Sequence, residues 1–462
     1  MKLKTILRTL LVMMLIIMLI SIFTVLKPVE FVQQVILGQS SNNSSSSDIK
    51  IVLNYYTWEV SEKDNPIFKE FSKLHPNIEV KINLIAELST SIKSKLDVIA
   101  MGGGEMDIWP LTDGTQFTEI KRGLVRKLDD YIKRDKIEMH DFFGSSAKSA
   151  YFNGSYYGLP YRASVQMVFY NKDMFDDAGV PYPTDDWTYE DFYNIAKKVT
   201  KGGENSGDRR IYGLMQNWFM ITGGRPGNKQ IPFYNSDGLS SFSEQEYWRK
   251  TLKLLKKMQD EGIMMPLENV KARDTFSSIE LLSGRAAMTW GASWVVRDIK
   301  DKESFPINFR VGCVLPPRVD KSTENIPQTT LVESILGIPE TSKHPDEAWE
   351  FIRFYVENGS ENTAKTGNVP LYIPAYNFNL ISAFISGSGL TFEDGKRFFS
   401  VDSLHYDFIP KGIATTEYAD TIRDECGKYF SNRQSLDQTL KKIKIEADRA
   451  ILKERSFLKY KN

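Results

Sequence analysis

The sequence predicts an α/β fold, because strand-like and helix-like segments alternate after residue 48. The run "IKIVLNYYTW" is rich in β-branched and aromatic residues and predicts a first strand. The next segment, "NPIFKEFSKLHP", repeats apolar residues at helical spacing between Asn65, a good N-cap, and Pro76, which ends the helix. A second strand "NIEVKINLI", a second helix through "TSIKSKLDVIAMG" and a third strand "MDIWPL" complete an order that favours a mostly parallel sheet.

Later segments carry local signals of the same kind. Asn153 and Gly154 predict a hairpin turn between two aromatic strands, and "SVQMVFYN" predicts another strand. Asp186 or Thr188 is expected to cap the helix that follows. Near the C terminus, "RQSLDQTLKKIKIEADRAILKE" predicts an amphipathic helix whose apolar face packs on the globular body.

The composition excludes several classes of function. The chain of 462 residues is long enough for two or more domains, and its 59 basic and 59 acidic residues cancel, which argues against nucleic-acid binding. No phosphate-binding glycine motif occurs, and Gly102 to Gly104 predict a turn instead. The four histidines are scattered, and Cys313 and Cys426 form no CxxC pair, so no metal or other cofactor is expected. These two cysteines either pair or remain buried free thiols.

The N terminus has the features of an export segment. Basic residues precede an uncharged apolar run from Thr9 to Leu26. This run is longer than the apolar part of most signal peptides, roughly 7–15 residues, and reaches the roughly 17–25 residues that span a bilayer. Residues 1–27 are therefore expected to form a signal or membrane-anchor helix, and residues 28–47 a Ser/Asn-rich tether.

The same segment predicts a location. Basic residues on its N-terminal side stay inside, which places the rest of the chain on the extracytoplasmic face of the bacterial cell membrane. No alanine occurs before Ala86, so an uncleaved anchor is favoured over signal cleavage and release. Gln39 follows "ILG" where a lipoprotein would carry a cysteine, and the chain is therefore not expected to be a lipoprotein.

Ordered motifs run along most of the chain after residue 48. They are "YYTW", "FSKLHPNIEV", "MDIWPLTDG", "GLVRKLDDYI", "YGLPYRASVQMVFYNKDMFDDAGVPYP", "LLSGRAAMTWGASW", "GIPETSKHPDEAWEFIRFY" and "GNVPLY". In this order they resemble the signature of the extracellular solute-binding proteins of carbohydrate ABC importers, the maltose-binding-protein-like family 1. The resemblance implies a two-lobed, periplasmic-binding-protein-like fold of type II, with hinge crossovers, a ligand in the cleft and closure by hinge bending.

The resemblance also implies that the chain passes between the lobes repeatedly. The crossings are expected near Ala163–Met167, Met288–Gly291 and Leu331–Leu336. Neither lobe is then contiguous. The expected boundaries are 48–163 and 290–334 for lobe 1, 164–289 and 335–400 for lobe 2, and 401–462 for the C-terminal helices.

A carbohydrate site needs flat rings for the apolar sugar face and fixed polar groups for the hydroxyls at its edge. Trp294 in "WGASW" resembles the tryptophan that stacks on sugar in this family, and Trp290 is a second candidate. Asp113 in "PLTDG" resembles a hydroxyl acceptor of the family, with loop capping as the alternative. Ser164 stands where maltose-binding proteins have a sugar-contacting glutamate, so the identity of the sugar does not carry over.

Position along the chain adds further candidates. Tyr56 and Trp58 lie at the C-terminal end of the first strand, where open α/β sheets bind ligands. Arg162 precedes a crossing and either hydrogen-bonds sugar hydroxyls or pairs with a carboxylate across the hinge. The remaining candidates are polar or aromatic residues of expected loops and crossings, with packing as the alternative role: Tyr161, Trp218, Tyr234, Glu333 and Asn368.

Together these features predict capture of a sugar or oligosaccharide and its delivery to ABC permease subunits in the membrane, without chemical change. The expected partners are the carbohydrate and the permease, and a monomer is expected. One alternative is an extracytoplasmic glycoside hydrolase or lyase, which would need two carboxylates at a set spacing across a cleft, and no motif marks such a pair. Another is a sugar-binding sensor coupled to a histidine kinase, which the sequence does not separate from transport.

Overall fold

The computed structural model describes residues 50–85, 96, 98–100, 105–112, 115–203, 210–216, 233–273, 277–321, 329–400, 410 and 412–459. The expected N-terminal helix and tether, most of the expected second helix and the Gly102 to Gly104 turn lie outside these ranges, as do Asp113 and Trp218. Within them, no helix combines the length and the apolar character needed to cross a membrane.

Strands alternate with helices along the described part of the chain, as the sequence predicts. The strands are β1 (Ile51–Thr57), β2 (Ile78–Leu84), β3 (Trp109–Thr112), β4 (Tyr151–Phe152), β5 (Ser155–Tyr156), β6 (Leu159–Asn171), β7 (Met215–Gln216), β8 (Met288–Ala292), β9 (Val311–Val314), β10 (Leu331–Gly337) and β11 (Val369–Pro370). The predicted hairpin turn is present between β4 and β5, where Asn153 and Gly154 have φ angles of 46° and 88°. Positive φ at both central residues is what a tight hairpin of this kind requires.

The helices vary from single turns to the long C-terminal helix. They are α1 (Ile67–Leu74), α2 (Thr115–Lys121), α3 (Asp129–Arg134), α4 (Met139–Phe143), α5 (Lys172–Ala178), α6 (Tyr189–Val199), α7 (Glu246–Asp260), α8 (Leu267–Arg273), α9 (Ser277–Leu282), α10 (Trp294–Lys300), α11 (Pro345–Asn358), α12 (Ser360–Lys365), α13 (Phe378–Ile385), α14 (Phe392–Phe399), α15 (Thr415–Phe430) and α16 (Leu436–Lys459). Short 3-10 helices span Val60–Asp64, Gly144–Ala150, Phe242–Glu244 and Ile373–Ala375.

The sheets differ from the sequence expectation in strand direction. β1 and β2 pair in parallel, but the larger sheet has the order β3-β10-β6-β8-β7, with β9 and β11 also paired to β6. In that sheet β7 and β8 are parallel, whereas the other pairings among the described strands are antiparallel. The expectation of a mostly parallel sheet is therefore wrong for the larger sheet, because β8, β9, β10 and β11 each run back along the long strand β6.

Lobe 1 is built around one apolar core. Its centre is the buried face of β1, with Leu53 and Tyr55 fully buried, against α1 and α11. The ring of Phe351 in α11 lies 5.4 Å from the ring of Phe68 and 5.1 Å from that of Phe71, both in α1. α11 therefore belongs to this lobe.

Lobe 2 covers both faces of the second half of β6 with apolar layers. Val168 and Tyr170 point into one layer, together with residues of α6, α7, α15 and α16. Met167 and Phe169 point into the other layer, together with residues of α10, α13 and α14. This alternation is the two-residue period of a strand that is buried on both faces.

β6 connects the two lobes without interruption. Its first half pairs with β10, from Leu159 to Val165, and its second half pairs with β8, from Gln166 to Tyr170. A single strand that contributes to both lobes is the structural basis for a hinge.

The cores correct two of the expected lobe boundaries. α10 and β9, in the segment 290–334 expected in lobe 1, pack in lobe 2. α11, in the segment 335–400 expected in lobe 2, packs in lobe 1, while α13 and α14 of the same segment pack in lobe 2. An amphipathic pattern shows that a helix has a buried face but does not specify which core receives it.

Local predictions in the second lobe are confirmed. The side chain of Thr188 accepts a hydrogen bond from the amide of Asp191, whose carboxylate accepts one from the amide of Thr188, so Thr188 rather than Asp186 is the cap of α6. The predicted C-terminal amphipathic helix is α16. Cys313 and Cys426 are both buried free thiols, which decides between the two alternatives for them.

Candidate ligand-binding site

The C-terminal end of β1 carries the first part of the site. The strand ends at Thr57 and a 3-10 helix begins at Val60, so Trp58 and Glu59 occupy the turn between them. The amide of Glu59 donates to the hydroxyl of Thr57 at 3.1 Å, which fixes this turn. Strand ends of this kind are where α/β proteins bind ligands.

Glu59 is the centre of the site, because its carboxylate accepts from two arginines. Nη1 of Arg162, on β6, lies 2.9 Å from one carboxylate oxygen, and Nη1 of Arg297, on α10, lies 3.1 Å from the other. The side chain of Glu59 is only 13% exposed. Since β1 belongs to lobe 1 and α10 to lobe 2, this carboxylate joins the two lobes.

Electrostatics keeps Glu59 ionised. Burial raises the pKa of Glu59. The charges of Arg162 and Arg297, together with hydrogen bonds from Arg162 and Asn368, lower the pKa by more than burial raises it, so it lies below its usual value. Burial lowers the pKa of Arg162, and the neighbouring Glu59 and the tyrosines around it more than restore it. The group therefore presents a fixed carboxylate held between two guanidinium groups.

A loop from lobe 2 completes the polar side of the site. Gly367 has a φ of 77°, and a Cβ at this position would lie 2.9 Å from the backbone nitrogen of Arg297. Only glycine allows both this conformation and this close approach. The loop brings the next residue, Asn368, beside Glu59; Asn368 is nearly buried, and its amide donates to the hydroxyl of Thr366 at 3.1 Å.

Aromatic rings border the polar cluster. The guanidinium carbon of Arg162 lies 5.8 Å from the ring centroid of Trp58, within the range of cation–π attraction. Trp294 is the first residue of α10 and is half-buried between the two apolar layers of lobe 2. Arg297 follows it by one helical turn, so Trp294 and the ion pair with Glu59 lie on neighbouring positions of one helix face.

A second carboxylate supports the site from within lobe 1. Glu62 is buried, and its two oxygens accept from the hydroxyl of Tyr355 at 2.7 Å and the amide of Asn65 at 3.0 Å. Burial raises the pKa of Glu62, and the charge of Arg162 opposes this only in part. The charge of Arg162 therefore lowers the pKa of both Glu59, its ion-pair partner, and Glu62.

Two predicted ligand residues lie in apolar packing instead. Trp290 is 1% exposed and its ring meets Phe192 edge to face at 5.8 Å, so it presents no face on which a sugar could stack. Tyr234 donates its hydroxyl to the carbonyl of Ile413, and its ring packs edge-on against Tyr418 in α15. The rings of these two residues are therefore not placed to stack on a sugar, because lobe 2 and C-terminal helices pack against them.

Three other predicted residues, Tyr161, Tyr56 and Glu333, differ in how they contact the cluster. Tyr161 is buried, with its ring edge-on to Tyr355 and 5.0 Å from the guanidinium of Arg162, so it supports Arg162. Tyr56 is half-buried against the core of lobe 1. Glu333 is buried on β10, where its carbonyl accepts from the hydroxyl of Thr112 at 3.3 Å.

The sequence prediction missed the two residues at the centre of the site. Glu59 directly follows the predicted Trp58, and an acidic residue at a strand end is the signal that could have identified it. Arg297 follows the predicted Trp294 at helical spacing, which places it on the same face. Arg162 pairs with a carboxylate, that of Glu59, which follows β1 of lobe 1.

The arrangement suits reversible binding. Carboxylate, guanidinium and amide groups offer both acceptors and donors, and rings adjoin them. In the ranges that the structure describes, no three His, Cys, Asp or Glu side chains are grouped so that they could hold a metal ion. The fold defines the class, a two-lobed α/β binding protein, and this cluster is its candidate site where the lobes meet.

Comparison with known proteins identifies the family within that class. The family model for bacterial extracellular solute-binding proteins matches residues 57–362, and the chain belongs to this family. The match includes the turn with Glu59, the strand β6 and the helix α10.

Individual relatives are distant but cover most of the chain. A binding protein of Brucella abortus is 25% identical over 64% of this chain and 70% of its own length. The multiple sugar-binding protein of Streptococcus mutans is 21% identical over 68% of this chain and 73% of its own. The solved ABC substrate-binding protein of Listeria monocytogenes, in complex with cycloalternan, has a TM-score of 0.70 at 20% identity, over 87% of this chain and 98% of that one.

Proposed function

We propose that this protein is the substrate-binding subunit of a carbohydrate ABC importer. It captures a sugar or oligosaccharide between its lobes and delivers it to permease subunits in the membrane. Membership of the solute-binding family supports this, as do a relative named for binding multiple sugars and a neighbour that holds cycloalternan. The observation that carries the proposal is Glu59, which joins β6 and both lobes through Arg162 and Arg297.

The polar cluster binds the edge of the sugar. The carboxylate of Glu59 accepts hydrogen bonds from sugar hydroxyls through the lone pairs that the arginines do not use. Arg162 and Asn368 donate hydrogen bonds to hydroxyl oxygens. Trp58 and Trp294 cover the apolar faces of the ring. Because these groups come from both lobes, a ligand that binds all of them stabilises the closed form over the open form.

The ligand leaves the site unchanged. A glycoside hydrolase needs a carboxylic acid that gives up a proton near neutral pH, and therefore a raised pKa. The carboxylate at the centre of this site, Glu59, has a lowered pKa and two cationic partners. Glu62 has a raised pKa, but it is buried within lobe 1 behind hydrogen bonds from Tyr355 and Asn65.

Calorimetry with the purified full-length chain tests the function. Mannobiose, mannotriose, maltotriose and glucose are titrated in turn, and the same mixtures are analysed by chromatography after prolonged incubation. Micromolar or tighter binding of at least one sugar with no new product is expected. Binding of none of a broader carbohydrate panel would contradict the proposal, and release of smaller sugars would favour a hydrolase.

The protein works at the outer face of the cell membrane, held there by its N-terminal apolar segment and a tether, as a monomer. The charge pattern before Thr9 supports this orientation. Fractionation of cells is expected to recover the full-length chain with the membranes, whereas a shortened chain in the medium would show signal cleavage. Permease genes beside the gene for this protein would favour import, and a histidine kinase gene would favour sensing.

A further inference from the structure

One side chain at the junction of the lobes has hydrogen-bonding groups for which the described residues provide no partner. Gln166, on β6, is fully buried. Within the part of the chain that the structure describes, neither its side-chain oxygen nor its side-chain nitrogen has a hydrogen-bond partner. A buried primary amide without partners destabilises the folded protein, so its presence calls for a reason.

The backbone around Gln166 holds this amide in place. The backbone amide of Gln166 donates to the carbonyl of Thr330 at 3.0 Å, and its carbonyl accepts from the hydroxyl of Thr329. On the other side Gln166 pairs with Ala292 of β8. The preceding residue, Val165, donates its amide to the hydroxyl of Ser293 at 3.3 Å. The side chain therefore projects from a strand that is fixed on both edges.

Two neighbours of Gln166 also have unused polar atoms. Trp290 lies two pairs further along the β6–β8 ladder, opposite Val168, and so shares a sheet face with Gln166. Its indole nitrogen and the hydroxyl of Thr330 are buried and, among the described residues, have no hydrogen-bond partner. One sheet face thus carries an indole donor and a primary amide, and the hydroxyl belongs to the residue whose carbonyl accepts from the backbone of Gln166.

This position adjoins the candidate ligand-binding site. Gln166 lies on the same strand as Arg162, and its partner Ala292 precedes Trp294 by two residues. Gln216, the last residue of β7, pairs with Trp290, and Ala292, the last residue of β8, pairs with Gln166, so Gln166 lies beside the C-terminal end of β8. That edge of a parallel pair is the edge at which α/β sheets receive ligands.

We propose that Gln166, together with Thr330 and the indole nitrogen of Trp290, forms a second polar subsite that binds hydroxyl groups of the carbohydrate. The inference rests on the proposed function and deepens it. A primary amide donates and accepts at once, which matches two adjacent hydroxyls of a sugar ring. All three groups are uncharged, so this subsite takes a neutral sugar unit.

The test compares Gln166→Leu with a control whose amide is fully bonded. In Gln259, on α7, the side-chain nitrogen donates to the carbonyl of Phe430 at 2.8 Å and the oxygen accepts from the amide of Leu267 at 3.1 Å. Gln166→Leu and the control Gln259→Leu each replace a buried or partly buried primary amide in lobe 2 by an apolar side chain of similar size. For each full-length protein, the melting temperature and the Kd for the sugar that wild type binds most tightly in the panel are measured.

The two variants are expected to behave in opposite ways. Gln166→Leu keeps or raises the melting temperature, since it removes unpaired polar atoms, and weakens binding by about tenfold. Gln259→Leu lowers the melting temperature, since it leaves two backbone groups unpaired, and keeps the Kd of wild type. Thr330→Val, which removes one hydroxyl at constant shape, is expected to weaken binding by about fivefold without loss of stability.

Other outcomes overturn the inference. An unchanged Kd in both Gln166→Leu and Thr330→Val would make these groups part of the core. A large fall in the melting temperature of both variants would show that their polar atoms are bonded inside the protein. If wild type bound no carbohydrate of the panel, the proposed function itself would be wrong, and the ligand assigned to Gln166 with it.

Discussion

Glu59 and Arg297 form an ion pair of 3.1 Å between two segments that belong to different lobes. Glu59 also pairs with Arg162 on the strand that connects the lobes. The three residues therefore join the turn after β1 in lobe 1, the connecting strand β6 and the first turn of α10 in lobe 2. A ligand that competes for these hydrogen bonds changes the contact between the lobes at the same time.

Replacement of Glu59 by glutamine is expected to destabilise the fold. The side chain of Arg162 is 6% exposed, and removal of its ionised partner leaves a buried charge without compensation. Loss of one partner of such a pair costs about 3 kcal/mol or more in the free energy of unfolding. Urea denaturation measures this loss in the free energy of unfolding. Glu340→Gln is the control: its pair with Arg126 spans 3.9 Å at the surface, where about 0.5 kcal/mol or less is expected.

Replacement of Arg297 by glutamine is expected to open the ligand-free protein. The side chain of Arg297 is 43% exposed, so loss of its pair with Glu59 changes stability by less than about 1 kcal/mol, but it removes a contact between the lobes. Small-angle X-ray scattering should show a larger radius of gyration than in wild type. Arg310→Gln serves as control, since Arg310 pairs with Asp173 and Asp176 inside lobe 2 alone. An unchanged radius for Arg297→Gln would mean that the pair does not hold the lobes together.

Replacement of Trp294 by alanine is expected to weaken carbohydrate binding by at least about tenfold, because a stacking surface of the site is lost. Calorimetry and the change of tryptophan fluorescence on binding both report this. Trp294→Phe keeps a ring and should retain most of the affinity. Equal affinities for the alanine variant and wild type would exclude Trp294 as a stacking residue.

Glu59 and Glu62 are expected to give opposite dependences of stability on pH. The pKa of Glu59 is lowered, so its contribution is fully present above about pH 4.3, the usual value, and is lost as the pH falls through the pKa in the folded state. The pKa of Glu62 is raised, so its contribution is present below about pH 4.3 and is lost as the pH rises through its pKa in the folded state.

Urea denaturation at a series of pH values measures this difference. Relative to wild type, Glu62→Gln should gain stability as the pH rises from about 4.3. Glu59→Gln should lose stability relative to wild type as the pH rises toward the same value. Parallel curves for the two variants would contradict the opposite environments of these side chains.

The thiols of Cys313 and Cys426 are expected to be unreactive in the folded protein. Both are buried, and burial raises the pKa of each. The reactive species is the thiolate, which is scarce at neutral pH in such an environment. Ellman's reagent should therefore detect no thiol in the native chain and two after denaturation without a reductant. Absence of thiols in the denatured chain would indicate a disulfide.

Features that depend on neighbouring residues could be predicted from the sequence. The alternation of strands and helices, the turn at Asn153 and Gly154, the cap Thr188 and the amphipathic helix α16 all follow from dihedral preference, capping and periodicity within a short segment. The resemblance of ordered motifs also predicted the family, which the family model confirms.

The candidate site could be predicted only in part. Trp58, Arg162 and Asn368 are at the cluster, and Trp294 begins the helix that carries Arg297. The rings of Trp290 and Tyr234 pack in apolar cores instead. The sequence does not reveal this, because aromatic residues that cover a core and those that cover a ligand have similar local patterns.

The sequence by itself therefore determined the α/β class, the local turns and caps, and the family. Only the tertiary structure decided that α10 packs in lobe 2 and α11 in lobe 1, and that Glu59 meets Arg162 and Arg297. The physical reason is distance along the chain. An apolar face or a charge shows in the sequence that it needs a partner, whereas the choice of partner is made when segments far apart along the chain pack together.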